Sequence, residues 1–218
     1  MANDKFSIKE AIEFGWETLK KNLGFFLVIG IIIVLVSLVP GAAKEVCKKT
    51  DSSSIKIITN LVSLLFQIVG VLLELGLIKI SLKLFEKKKV SVSDLFSQYH
   101  LFFKYLGSLI IYSLIVLAGL VLFIVPGIIW SVKFRFFSYF IVEEECGVIE
   151  SLKKSAEITQ GYKWDLFMFS IILLLMAFLG ILAFFVGILL VLPVSAMASV
   201  FIYKKLKEKN NFSDVVAR

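Results

Sequence analysis

Charge is scarce along this 218-residue chain. Asp, Glu, Lys and Arg make up 19% of it, where soluble domains carry about a quarter. Histidine occurs once, at His100, so no histidine pair can hold a metal or relay a proton, and His100 reads as an interfacial residue. The two cysteines, Cys47 and Cys146, are too few and too far apart for a disulfide framework, and neither stands in a metal or redox motif. The chain also lacks paired carboxylates, a nucleophile beside a base and a glycine-rich phosphate loop, so no catalytic residue, cofactor or metal is expected and the protein does not read as an enzyme.

Apolar residues are abundant. The chain is 59% hydrophobic with 21 Phe, and its mean hydropathy is +0.92. A domain of this size cannot hide so much apolar surface in a water-soluble core, so the lipid bilayer is the expected solvent. The net charge of +7 and pI near 9.3 do not point to nucleic acid, because the basic residues form short blocks flanking apolar runs, with no basic stripe interleaved with aromatics. The strongest block, Lys87 to Lys89, favours anionic phospholipid head groups.

The apolar runs define an all-α polytopic transmembrane helical bundle, a single integral membrane domain over residues 1–218. Six spans, at about 23–39, 57–82, 106–125, 127–142, 165–182 and 187–203, pair into three hairpins. Pro40-Gly41 is expected to end span one and Val125-Pro126-Gly127 to end span three, since proline lacks an amide donor and disfavours helix just before it. Residues 166–203 carry no charge and exceed by far the hydrocarbon core of ~30 Å, so two spans must share them, turning between Gly180 and Gly187. Span four is short and holds Lys133 and Arg135; five spans is the alternative. The acidic residues Asp4, Glu10, Glu13 and Glu17 ahead of a long first run argue against a cleaved signal, the alternative being cleavage before Lys44.

With both termini cytoplasmic, Lys44, Lys48, Lys49 and Lys56 border the first outer loop and Lys79, Lys133 and Arg135 lie within spans, while the other Lys and Arg residues fall on the cytoplasmic side. That asymmetry fits the multi-pass topology of an inner (cytoplasmic) membrane protein. Trp16 and Trp164 then fall at the inner boundary and Trp130 near the outer one, where amphipathic rings anchor helices. Cys47 lies outside and Cys146 inside.

Each hairpin is preceded by an amphipathic stretch expected to rest on the cytoplasmic interface, which gives the chain a loose threefold repeat. The first begins at the capping box Ser7 to Glu10 and presents Ile8, Ala11, Ile12, Trp16 and Leu19. The second begins at Ser91 to Asp94 and presents Leu95, Phe96, Tyr99, Phe102 and Phe103. The third, residues 147–159, presents Val148, Leu152 and Ala156 and stops at Gly161.

Charges inside spans are costly and mark candidate sites. Glu74 in span two and Arg135 in span four sit at matching depths, about 10–12 Å from the cytoplasmic ends at 1.5 Å per residue, and are expected to form an ion pair. Lys133 is expected to snorkel outward. Asn60, Ser63 and Gln67 on span two read as hydrogen-bond partners for other helices.

The segments Glu145-Cys146-Gly147-Val148-Ile149-Glu150-Ser151-Leu152-Lys153-Lys154-Ser155 and Thr159-x-Gly161-Tyr162-Lys163-Trp164 follow Val125-Pro126-Gly127-Ile128-Ile129-Trp130. Together with the opening Ile8-Lys9-Glu10-Ala11 through Trp16 to Lys20-Lys21-Asn22-Leu23-Gly24, they resemble uncharacterised bacterial six-span proteins of the domain-of-unknown-function-975 kind, related to the membrane domain of glycerophosphoryl diester phosphodiesterases. The resemblance implies a link to the cell envelope or its lipids and transfers no catalytic residue. The expected role is non-enzymatic membrane or envelope organisation, in which a homo-oligomer could act; the alternatives are a small transporter or lipid-handling carrier, and protection of the membrane against toxin or stress. A carrier needs Glu74 and Arg135 on a water-accessible cavity, whereas an organiser buries them dry.

Overall fold

The computed structural model describes residues 6–48, 52–182 and 186–216. The first hairpin loop at 49–51 and the turn expected between Gly180 and Gly187, at 183–185, lie outside the described residues, as do Asp4 and Lys5. The architecture is all-helical: α1 (Ile8–Lys21), α2 (Leu23–Lys48), α3 (Ser53–Phe85), α4 (Phe102–Leu122), α5 (Ile124–Lys133), α6 (Phe137–Glu144), α7 (Val148–Ile158), α8 (Lys163–Leu182) and α9 (Val186–Val216). Among the described residues six segments are long and apolar enough to cross a bilayer, α5 and α6 together forming the fourth. They pack as the hairpins α2–α3, α4–α5 and α8–α9.

Both proline punctuation marks act differently from expectation. α2 continues through Pro40 and Gly41 to Lys48. In an apolar surrounding an open backbone is costlier than one missing amide bond, so the helix persists while it stays paired with α3. At the second site the chain breaks earlier, at the extended Phe123, and Val125-Pro126-Gly127 opens α5 instead of closing α4. Pro126 thus falls in the first helical turn, where amide groups lack intrahelical acceptors and its missing donor costs nothing. Gly127 lets the hairpin close: a Cβ there would stand 2.8 Å from the backbone nitrogen of Leu120.

The three amphipathic stretches are docked on the bundle. α1 is capped as expected, the Ser7 hydroxyl accepting from the Glu10 amide at 3.3 Å, but it packs along α9 through Ala11, Gly15 and Leu19, leaving Trp16 exposed beneath Lys20. The second stretch is not an α-helix. It forms two 3-10 turns, Val92–Leu95 and Tyr99–Leu101, and Phe102 and Phe103 belong to α4. Leu95 is its buried anchor: the backbone there lies so close to α3 that a Cβ on Gly76 would come within 2.0 Å of the Leu95 carbonyl oxygen. Asp94 locks the same spot by accepting from the Ser91 amide at 2.9 Å and pairing with Lys83 at 2.5 Å. In the third stretch the buried face of α7 is rotated from Val148 and Ala156 towards Ser151, Leu152, Ser155 and Ile158. Gly161, at φ +86°, ends the segment as expected.

Burial divides the bundle along its length. The first and last helices meet at one end of the bundle, the base, where Ser7 and Glu10 face Lys205 and Lys209. Near the base the helices share a core that includes Leu75, Tyr105, Phe136, Phe137, Phe169 and Tyr203. Towards the hairpin tips that common core disappears, leaving Leu35, Leu38, Ile58, Leu61, Val121, Phe123, Leu174 and Phe178 exposed. Such faces are at home in hydrocarbon.

Candidate functional site: a cavity at a broken helix

Span four is interrupted at Phe134, Arg135 and Phe136, between α5 and α6. A break inside an apolar segment frees backbone groups that need partners, and α7 supplies them. The Ser155 hydroxyl accepts from the Phe136 amide at 3.0 Å and donates to the Lys133 carbonyl at 3.2 Å, which also accepts from Thr159 at 2.9 Å. One turn earlier Ser151 meets Ser108 of α4 at 3.2 Å. Ser151, Ser155 and Thr159 are wholly buried, a stripe at four-residue spacing that inserts α7 between α4 and the break. The sequence signal for this contact is the four-residue spacing of those hydroxyls.

The break directs Arg135 into a cavity of about 300 Å³ between α3, α6, α8 and α9. α3 contributes Glu74, Leu77, Ile78 and Ser81, and α9 contributes Leu192, Ser195, Ala196 and Ser199. Each set follows the i, i+3, i+4, i+7 spacing of one helix face. Ser138 and Tyr139 complete the wall on α6. Both charged residues line the cavity, Glu74 as an exposed residue and Arg135 as a half-buried one.

Glu74 and Arg135 thus come to the same cavity, but among the described residues no ion pair joins them. The Arg135 guanidinium donates to the Ser170 hydroxyl and lies 4.9 Å from the centre of the Phe169 ring. Glu74 has the Tyr105 hydroxyl beside it, and Tyr139 stands within electrostatic reach of both charges. Lys133 is elsewhere, its ammonium 5.3 Å from the centre of the Phe134 ring. On α3, Ser63 and Gln67 bond back to their own helix, at the carbonyls of Thr59 and Ser63, and Asn60 is exposed. None of the three lines the cavity. Trp130 packs across Gly119 of α4, and Trp164 is 78% exposed against Phe167.

Towards the base the cavity is closed in two layers. Tyr203, fully buried, packs against Phe136, Tyr139 and Phe140 at centroid distances of 5.9, 5.1 and 5.2 Å. Beyond it Glu143 binds Lys204 at 2.7 Å, Lys207 at 2.9 Å and the Tyr203 hydroxyl at 2.5 Å. Lys204 also reaches Glu86 at 2.8 Å, and Glu144 pairs with Lys207 and with Lys154, the latter at 2.7 Å. Lys204, with Lys88, holds the Glu86 carboxyl down to about 2, and Glu144 and Glu150 push the Lys154 ammonium above its usual range. Glu143 and Glu144 had no role in the sequence reading, which took the tail lysines only as a topology signal. Cys146 is buried between Lys154 and Glu144 at this end, while Cys47 sits at the tip of α2 beside the Lys56 carbonyl. His100 contacts Glu145 at 3.4 Å on the surface.

Fold and site define a polytopic helical membrane protein with two charged residues, Glu74 and Arg135, on one cavity between apolar helices. Within it, residues 114–210 match the family model described as Protein of unknown function (DUF975). The matched stretch contains the broken span, α7 and the Arg135 wall of the cavity, and leaves out Glu74. Comparisons with curated proteins and with solved structures give no match.

Proposed function

We propose that this protein is a lipid-handling carrier: it admits the polar part of a membrane lipid to the Glu74–Arg135 cavity while the acyl chains stay along the exposed apolar faces near the hairpin tips. The observation that carries this reading is the placement of Glu74, exposed on a cavity it shares with Arg135 and the hydroxyls of Ser81, Ser138, Ser195 and Ser199. An organiser of the membrane or envelope has no use for two unpaired charges on one cavity amid apolar helices, and burying charge there costs several kcal/mol. Broken helices lining a midplane site are the usual way a membrane protein exposes backbone and charge to cargo. The double closure towards the base suits a carrier open on one side. On this reading the base is cytoplasmic, in a bacterial inner membrane, and the resemblance to a lipid-linked membrane domain supports the choice of cargo.

Movement of lipid across vesicles tests this. In proteoliposomes carrying trace acyl-NBD phosphatidylethanolamine, dithionite bleaches the outer leaflet, and the carrier brings additional probe within reach. The expected result is extra bleaching that Arg135→Gln removes. Bleaching equal to that of protein-free vesicles would end this reading.

A further inference from the structure

We infer that the cavity is selective for a zwitterionic head group, an ammonium joined by a short linker to a phosphate, with the ammonium at Glu74 and the phosphate at Arg135. This deepens the carrier reading above and rests on it for the lipid source of the group.

Both charged side chains have hydrogen-bonding capacity to spare. A guanidinium has five N–H donors, and among the described residues Arg135 gives one of them to Ser170 and sets its guanidinium over the face of Phe169. The remaining donors suit an oxyanion, which arginine engages at two points. A carboxylate accepts at about four positions, and Glu74 has Tyr105 beside it. Among the described residues the Ser138 hydroxyl on the same wall makes no hydrogen bond. The chain has therefore placed two opposite charges on one chamber without pairing them, although direct pairing would be the cheaper solution in an apolar bundle.

Charge balance then selects the ligand. A simple anion at Arg135 would leave Glu74 facing it with like charge, and a simple cation would do the same to Arg135. A molecule with both charges satisfies both walls and adds no net charge to the bilayer interior. The cavity volume of about 300 Å³ lies at the lower end of small-molecule sites, matching a head group alone. The exposed apolar flanks, among them Leu174 and Phe178 on α8, leave the acyl chains in hydrocarbon.

The test is native mass spectrometry of the full-length chain in detergent, with phosphatidylethanolamine, phosphatidylglycerol or free phosphoethanolamine added. Phosphatidylethanolamine should be retained in preference to phosphatidylglycerol. Glu74→Gln and Arg135→Gln should each lower that retention about tenfold or more, the effect of ~1.4 kcal/mol, and Glu74→Asp should keep most of it, which guards against loss of fold. Competition by free phosphoethanolamine supports the head-group chemistry and assigns recognition to the head group alone; retention of the lipid without competition supports the same chemistry with the chains contributing. Equal retention of phosphatidylglycerol, unchanged by Glu74→Gln, would overturn the inference in favour of an anion site at Arg135. Lipid movement in vesicles without this preference removes the inference and spares the carrier; the preference without movement does the reverse.

Discussion

Replacing Ser155 by alanine leaves the Phe136 amide without a partner inside the bundle. Ser155 and Phe136 are both fully buried and their bond is 3.0 Å long, so no water is at hand to replace the hydroxyl, and an unpaired buried donor costs about 1–3 kcal/mol. The Lys133 carbonyl suffers less, because Thr159 still donates to it at 2.9 Å. Thr159→Val alone should cost less, about 0.5–1.5 kcal/mol, since Ser155 then keeps the carbonyl. In the double variant Lys133 loses both donors, and the combined effect should exceed the sum by roughly 0.5 kcal/mol or more. For a chain of this size 1 kcal/mol corresponds to about 2–4 °C in Tm, so Ser155→Ala should lower Tm by roughly 2–12 °C. Thermal unfolding of the detergent-solubilised protein, followed by near-ultraviolet circular dichroism, measures all three variants. An unchanged Tm for Ser155→Ala, or strict additivity in the double variant, would refute the idea that α7 caps the broken span.

Two further perturbations probe the frame around the site. Gly76→Ala places a methyl 2.0 Å from the Leu95 carbonyl oxygen, and overpacking of that kind costs about 1–3 kcal/mol; protease cleavage within residues 87–101 should become faster, and an unaltered cleavage pattern would show that the 3-10 segment is not docked there. Glu86 titrates near 2 because of Lys204 and Lys88, below its usual value of about 4.3. The bound form is therefore fully favoured above pH ~4.3 and its contribution disappears as pH falls towards 2. Tm should drop across that interval, and Lys204→Met should make the drop smaller; an identical profile in the variant would remove Lys204 from the base lock.

The sequence reading reached the helices through their apolar runs, because hydrocarbon imposes a length and a polarity that composition records directly. It also singled out Glu74 and Arg135, because charges are conspicuous in such runs. What it missed depends on packing. Whether Pro40 ends a helix turns on the solvent beside it, and whether Pro126 closes one helix or opens the next turns on a single extended residue, Phe123. The break at Phe134 to Phe136 has no proline or glycine to announce it; it exists because Ser155 and Thr159, some twenty residues later, take up its backbone groups. The same serine stripe reads as the polar side of a surface helix until the partner helix is known. The expectation of a direct Glu74 to Arg135 pair came from matched depth alone, which cannot reveal the Tyr139 ring and the cavity around it.

A carrier needs a water-accessible cavity between α3, α6, α8 and α9. Two positions on α9 test it: Ser195 lines the cavity, whereas Met197 is fully buried against α1 and α2. Each is changed to cysteine in a chain whose Cys47 and Cys146 are serine, and the purified protein is exposed to a small charged thiol reagent. Rapid modification is expected at Ser195→Cys and very slow modification at Met197→Cys. Equal protection of both would mean that the charges are buried dry between helices, and that the carrier reading is wrong.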